Sequence, residues 1–309
     1  MKTWSEHLED YLRLRRHLGF KLVRAGRELR QFVRFLEQKK ARFITIKLAL
    51  QWAQSTTCRQ MQADRLGVVR GFARYLSALV PRTEIPPEGL ILFRRQRKAP
   101  YLYSDQEVVR LIQAARQLPT SDQLDPSTCS TLFGLLAATG MRISEALGLD
   151  REDVDLKQSL LTLRQTKDGQ WRLVPIHPTV RDKLRQYERC RDGLCPQPAC
   201  SNFFVTEQGT ALVYMTVYHW FIHLSHQIGL RQPTDHRGPR IHDLRHRFAI
   251  QTLLKWYRSD LNVEVHLADL STYLGHRSVV GTYWYISGIP ELLKLATLRL
   301  EREHGGLRA

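Results

Sequence analysis

His242-Asp243-Leu244-Arg245-His246 is the stretch from which the rest of the chain can be ordered. A spacing of three puts His242 and Arg245 on one face of a helix, where an imidazole and a guanidinium can address the same group. Downstream comes Leu274-Gly275-His276, followed by Tyr283-Trp284-Tyr285. Two positions on a helix differ by about 200° of rotation, so Tyr283 and Tyr285 cannot share a face.

Working upstream, Leu160 to Gln165 and Trp171 to Ile176 are two apolar runs separated by Thr166-Lys167-Asp168-Gly169. Asp-Gly between such runs predicts a β-hairpin with Lys167 at its tip. Further upstream lies Ala138-Thr139-Gly140-Met141-Arg142-Ile143-Ser144-Glu145-Ala146-Leu147. Arg142 follows a glycine at a helix start, and Glu145 lies one turn on, on the same face. Helices are expected around residues 104–117 and 127–139, the first opened by Ser104 with Glu107 as a capping box. The remainder reads as mainly helical apart from a short apolar run at Phe203–Val205. Each of these segments alone is ordinary. A lone arginine usually pairs with a surface acid, a turn lysine is usually solvated, and a tyrosine after Gly-His usually packs in a core.

The first 80 residues carry apolar side chains at helical spacing. Trp4, Leu8, Tyr11, Leu12 and Leu14 mark one helix, and Leu22, Leu29, Phe32, Val33, Phe35 and Leu36 a second. Ile46, Leu48, Leu50, Trp52 and Ala53 mark a third, and Leu66, Val69, Phe72, Ala73, Leu76 and Leu79 a fourth. A four-helix bundle with a basic face is the simplest arrangement. Arg13, Arg15, Arg16, Lys21, Arg24, Arg27, Arg30 and Arg34 run between and across these helices. Pro81, Pro86, Pro87 and Gly89 then break the pattern, ahead of Arg94, Arg95, Arg97 and Lys98. Proline disfavours helix at its own position and just before it, so this stretch reads as an extended basic linker. The expected organisation is a helical domain over residues 1–82, a linker over 83–100, a second domain over 101–290 and a tail helix over 291–309.

The 309 residues carry 47 Lys and Arg against 30 Asp and Glu, a net charge of +17. The excess is uneven: residues 1–100 hold 22 basic and 8 acidic residues, whereas residues 101–309 hold 25 and 22. A basic N-terminal third suits a polyanion, of which nucleic acid is the commonest, although a well-solvated surface or an acidic partner would also fit. No run of about 18 apolar residues predicts a membrane span. Met1-Lys2-Thr3-Trp4-Ser5-Glu6 does not read as a signal peptide, so the product is expected to stay in the cytoplasm, at the nucleoid. Cys58 and Cys129 are isolated. Cys190, Cys195 and Cys200 are spaced closely enough for a metal site to be conceivable, but a reduced loop fits better because no zinc pattern or fourth ligand is evident.

In their order and spacing, these segments resemble the catalytic domain of the tyrosine recombinases, the phage-type integrases. Arg142, the hairpin Lys167, His242-Asp243-Leu244-Arg245-His246, Leu274-Gly275-His276 and a following tyrosine carry the likeness over about residues 100–290. The basic N-terminal helices are similar to that family's SAM-like core-binding domain. Tyr11-Leu12-Arg13-Leu14-Arg15-Arg16-His17-Leu18-Gly19-Phe20-Lys21 is similar to recombinases carried by transposons and mobile islands. The resemblance implies a mainly α fold with a small β-hairpin or sheet, in which a helical core-binding domain precedes an α+β catalytic domain. It implies cleavage and religation of double-stranded DNA through a 3′-phosphotyrosine, for integration or transposition of a mobile element. It also implies homo-oligomers, dimeric or tetrameric on DNA, with or without sister recombinases, and a tail helix able to dock on a neighbouring protomer.

By the same resemblance the nucleophile stands nine residues after His276, at Tyr285, and Tyr283 packs or faces DNA. Arg142, Arg245 and His276 would hold the non-bridging oxygens, Lys167 would protonate the leaving 5′-oxygen, and His242 would accept the phenolic proton. Chemistry independently suits these types. Guanidinium forks match a phosphate with parallel donors and do not titrate away. A phenol of ordinary pKa about 10 needs cations and a base to ionise. Glu145 would most simply buttress Arg142 or the helix around it. No metal or nucleotide cofactor is expected, and an Asp/Glu cluster of the kind a metal-dependent nuclease needs is not evident. The DNA contacts expected are Arg13, Arg16, Lys21, Arg24, Arg27, Arg94, Arg95, Arg97 and Lys98. Rival readings are a type IB topoisomerase with the same chemistry, and a non-catalytic DNA-binding regulator on the same scaffold.

Overall fold

The computed structural model describes residues 2–93, 99–119, 124–164, 171–235, 238–259, 261–276 and 278–304. The chain divides into two compact units, Met1–Arg97 and Lys98–Ala309.

The first unit contains α1 (Trp4–His17), α2 (Val23–Gln38), α3 (Ile46–Ala53) and α4 (Arg59–Ser77). Leu8, Leu12, Leu29, Phe32, Leu36, Trp52, Phe72 and Leu76 form its core, the apolar stripe of each helix turned inward. Thr3 opens α1 with a capping box that includes Glu6, and Thr45 accepts from the Leu48 N–H at the start of α3. Leu14 and Leu79 are exposed rather than core: Leu14 is off the buried stripe of α1, and Leu79 is beyond the end of α4.

Part of the stretch expected to be an extended linker is docked on this unit. The Glu84 N–H donates to the Ile44 carbonyl at 2.8 Å, and a Glu84 carboxylate oxygen accepts from the Ile46 N–H at 2.7 Å. Arg70 donates to the carbonyls of Pro86 and Pro87 at 2.7 and 2.9 Å. Prolines lack a donor but keep their carbonyls, so an arginine can hold a segment that cannot be helical. Arg94, Arg95, Arg97 and Lys98 lie outside the described residues.

The second unit begins with α5 (Asp105–Arg116), α6 (Leu124–Thr139) and the short α7 (Ile143–Leu147). Ser104 and Glu107 form the expected capping box on α5. A three-stranded antiparallel sheet follows: β1 (Val154–Asp155), β2 (Leu160–Leu163) and β3 (Arg172–Pro175), in that spatial order. In the hairpin Leu160 faces Pro175 and Leu163 faces Arg172. The connecting residues, Lys167 among them, lie outside the described residues. β1 was not anticipated, because two residues are too few to show alternation. Next come α8 (Pro178–Leu194), α9 (Tyr214–Gln227), α10 (Ile241–Arg258), α11 (Val263–Leu274), α12 (Val280–Gly288) and α13 (Pro290–His304).

This unit has two apolar clusters. One gathers α5, α6, the sheet, α8 and α9, and includes Ile241 and Leu244 of α10. The other gathers Ala249, Ile250 and Leu253 of α10 with α11, α12 and α13. α10 therefore passes from one cluster into the other, and Arg245 and His246 fall at the crossing. Leu292 of α13 is fully buried in the second cluster, so this helix packs on its own unit. Cys190, Cys195 and Cys200 are free thiols, and the Cys200 thiol donates to the Gly209 carbonyl at 3.6 Å. No group of potential metal ligands occurs among the described residues. No helix there is long and apolar enough to cross a membrane.

Candidate active site

The site starts at the break between α6 and α7. Gly140 has φ +63°, a left-handed conformation that disfavours any side chain. A Cβ there would also stand 2.6 Å from Phe248 of α10. The turn lets the Gly140 carbonyl accept from Arg245 Nη1 at 2.9 Å and sets Arg142 at the head of α7.

Among the described residues, three arginines from three different elements meet the C-terminal end of α11. Arg172 Nε donates to the Tyr273 carbonyl at 3.0 Å, Arg245 Nη2 to the Leu274 carbonyl at 2.7 Å, and Arg142 Nη2 to the Gly275 carbonyl at 2.8 Å. The last carbonyls of a helix lack partners in their own ladder and carry the negative end of its dipole, so they hold cations well. Gly275, with φ +67°, closes α11, and a Cβ at that position would meet the Arg172 guanidinium at 2.6 Å.

Glu145 binds two of these arginines from behind. Its Oε1 accepts from Arg142 Nη1 at 2.6 Å and Arg172 Nη1 at 3.0 Å. Its Oε2 accepts from the Arg142 N–H at 2.9 Å and Arg172 Nη2 at 2.8 Å. Burial pushes the Glu145 carboxyl up, but the hydrogen bonds from Arg172 and Arg142 outweigh it and hold the group below the ordinary carboxylate value. Burial and the Arg142 charge bring Arg245 down to about 10, which leaves it protonated at neutral pH.

α10 and α12 supply the rest. The Tyr285 hydroxyl is 2.9 Å from His246 Nδ1. The His242 and His246 rings meet edge to face, with centroids 4.7 Å apart. His276 stacks near Tyr285 at 6.4 Å between centroids, and its Nδ1 is 2.8 Å from the hydroxyl of the fully buried Thr282. Tyr285 is buried, whereas Tyr283, two positions before it, is half exposed, in keeping with opposite helix faces.

His242, His246 and His276 are each lowered to about 4. Burial is the main cause for all three. Arg245 adds to it at His242 and His276, and His242 adds to it at His246. His242 still presents surface to solvent, and water offsets part of the effect there. At neutral pH all three rings are uncharged, and in the tautomer that leaves Nδ1 bare His246 accepts a hydrogen bond from the Tyr285 hydroxyl. His242 also lines a cavity of about 750 Å³ with Arg240, Ile143, Tyr101, Tyr214 and Tyr218.

Of the residues singled out in the sequence, Arg142, His242, Arg245, His276 and Tyr285 are gathered here, and Lys167 lies outside the described residues. Arg13, Arg16, Lys21, Arg24 and Arg27 are all exposed on the first unit. Arg24 is paired with Glu28 at 2.9 Å and Asp64 at 3.5 Å, so it is less free than the others to meet a partner. Sequence reasoning missed His246 and Arg172. His246 is only the last residue of its segment, and its contact with Tyr285 depends on how α12 packs on α10. Arg172 sits in a run read as an apolar strand, where a single charge looks solvent-facing; its side chain is in fact only 11% exposed.

Residues 101–288 match the family model described as the phage integrase family. Among curated proteins, the chain is 46% identical over 308 residues to y4rB of Sinorhizobium fredii, described as an integrase/recombinase, with 98% of each chain covered. It is 25% identical over 302 residues to the tyrosine recombinase XerC of Roseiflexus sp., covering 92% of this chain and 88% of that one. Among solved structures, XerH site-specific recombinase bound to palindromic difH substrate superposes with a TM-score of 0.64 at 20% identity, over 87% of this chain and 77% of that chain. With arginine, histidine and tyrosine drawn together on one such scaffold, the chain belongs to the phage integrase family, the tyrosine recombinases.

Proposed function

We propose that this protein cuts and rejoins double-stranded DNA at specific sites, with Tyr285 forming a covalent 3′-phosphotyrosine. The observation that carries this reading is that the Tyr285 hydroxyl meets His246 and its ring stacks near His276, while Arg245 and Arg142 are held at the carbonyls of Leu274 and Gly275, just ahead of His276. Arg142, Arg245 and His276 hold the non-bridging oxygens, where negative charge grows as the phenol attacks. The phenolic proton passes to the His242–His246 pair, whose His246 member touches the hydroxyl. This revises the expectation that named His242 alone. Lys167 protonates the leaving 5′-oxygen. The new phosphotyrosyl bond takes the place of the broken phosphodiester, so a 5′-hydroxyl can attack it and reverse the step.

The exposed Arg13, Arg16, Lys21 and Arg27, with Arg94, Arg95, Arg97 and Lys98, bind the DNA backbone. More than one copy assembles on the substrate, because exchange needs two duplexes, and the biological task is integration or transposition of a mobile element. The likeness to an integrase/recombinase along the whole chain supports this. The test is incubation of the protein with DNA carrying two copies of its site, without divalent metal. Exchange of flanking DNA is the expected result. Relaxation of supercoils without exchange would make it a topoisomerase, and binding with neither would make it a regulator.

A further inference from the structure

Of the three described arginines that meet the end of α11, Arg172 is the one to which the reaction above gives no task. It is also the most fully engaged. Its planar fork meets both oxygens of Glu145, and its Nε meets the Tyr273 carbonyl. Its side chain is 11% exposed, against 22% for Arg142 and 2% for Glu145. Arg142 therefore keeps an open side for a substrate, and Arg172 is behind it. A carboxylate offers about four lone-pair positions, and Arg142 and Arg172 together fill four on Glu145.

The charges decide what this does. Arg142, Arg172 and Glu145 sum to one net positive charge. Without Arg172, the buried Glu145 carboxylate would face Arg142 alone and cancel it, directly behind the point where a phosphate must be held. We infer that Arg172 is a positioning residue for strand cleavage: it neutralises Glu145 from β3, so that Arg142 keeps its positive charge and its orientation for the scissile phosphate. The inference rests on the reaction proposed above. Arg172 also ties the hairpin that carries Lys167 to the end of α11, just ahead of His276. Lysine could replace the charge but not three contacts from one rigid plane.

The experiment measures the rate of covalent adduct formation on nicked DNA by the full-length protein, with DNA affinity and thermal unfolding measured alongside. R172A should lose roughly 100-fold in rate, the scale of a small misplacement at a reacting centre, while DNA affinity holds. R172K should fall between R172A and the wild type. The discriminating variant is R172A/E145Q, which removes the negative charge together with the positive one. It should recover at least about tenfold over R172A, because Arg142 is no longer cancelled. If R172A fails to fold, R172Q and R172Q/E145Q carry the same comparison. Wild-type rate in R172A, or no recovery in the double variant, would overturn the inference and leave Arg172 as support for the fold. A wild-type protein that forms no adduct at all would instead sink the reaction on which the inference rests.

Discussion

The Tyr285 hydroxyl and His246 Nδ1 are 2.9 Å apart, joining α12 to α10 through the atom that would attack DNA. Burial and His242 lower His246 to about 4, so its ring is neutral at physiological pH and, under the reaction proposed above, is the group that would take up the phenolic proton. His246→Ala should therefore slow adduct formation by roughly 10²–10⁴-fold, the usual worth of a positioned base. His242→Ala should cost less. Adduct rates on nicked DNA check this, and the reverse ranking would return the role to His242.

The same lowered histidines set a stability trend. His246 and His276 are lowered from an ordinary 6.5 to about 4 in the folded chain, so between those values the unfolded chain binds protons that the folded chain does not. Stability should fall as pH drops from about 7 towards 5, a window above that of Glu145, whose lowered carboxyl acts below the ordinary carboxylate value. Urea midpoints across this range should decline in the wild type, and the decline should be shallower in His246→Gln/His276→Gln. Equal slopes in both proteins would count against the burial of these rings.

Much of this arrangement was legible in the sequence, for local reasons. Ser104 and Glu107 cap a helix through contacts three residues apart, Asp168-Gly169 announces a hairpin, and a two-residue offset separates Tyr283 from Tyr285 on α12. What escaped depends on non-local packing. Glu84, Pro86 and Pro87 read as linker, yet Ile44, Ile46 and Arg70 hold them. Arg172 read as a strand residue, yet Glu145 and Tyr273, 27 and 101 residues away, bury it.

Lys167 can be tested through the leaving group. Lys167→Ala should slow cleavage by roughly 10²–10⁴-fold if the ammonium is the general acid. A substrate with sulfur in place of the bridging 5′-oxygen leaves without a proton. It should largely restore Lys167→Ala but not Arg142→Ala or Arg245→Ala, whose charge acts on the non-bridging oxygens. Equal rescue of all three, or none for Lys167→Ala, would make the lysine an ordinary DNA-binding side chain.

The exposed basic residues of the first unit predict a salt effect. Replacing Arg13, Arg16, Lys21 and Arg27 with glutamine should weaken DNA binding. It should also flatten the slope of log K against log salt by up to about 0.9 for each phosphate that is no longer neutralised. Because all four are exposed, folding should be preserved, which circular dichroism would verify. An unchanged slope would show that these residues do not hold DNA.

In the proposed reaction Tyr285 becomes bonded to DNA. The direct measurement traps the protein on a nicked substrate, digests the adduct and identifies by mass spectrometry the residue that carries the nucleotide. The modification is expected on Tyr285, should be lost in Tyr285→Phe and should persist in Tyr283→Phe. A nucleotide on Tyr283, or an adduct that survives Tyr285→Phe, would contradict it.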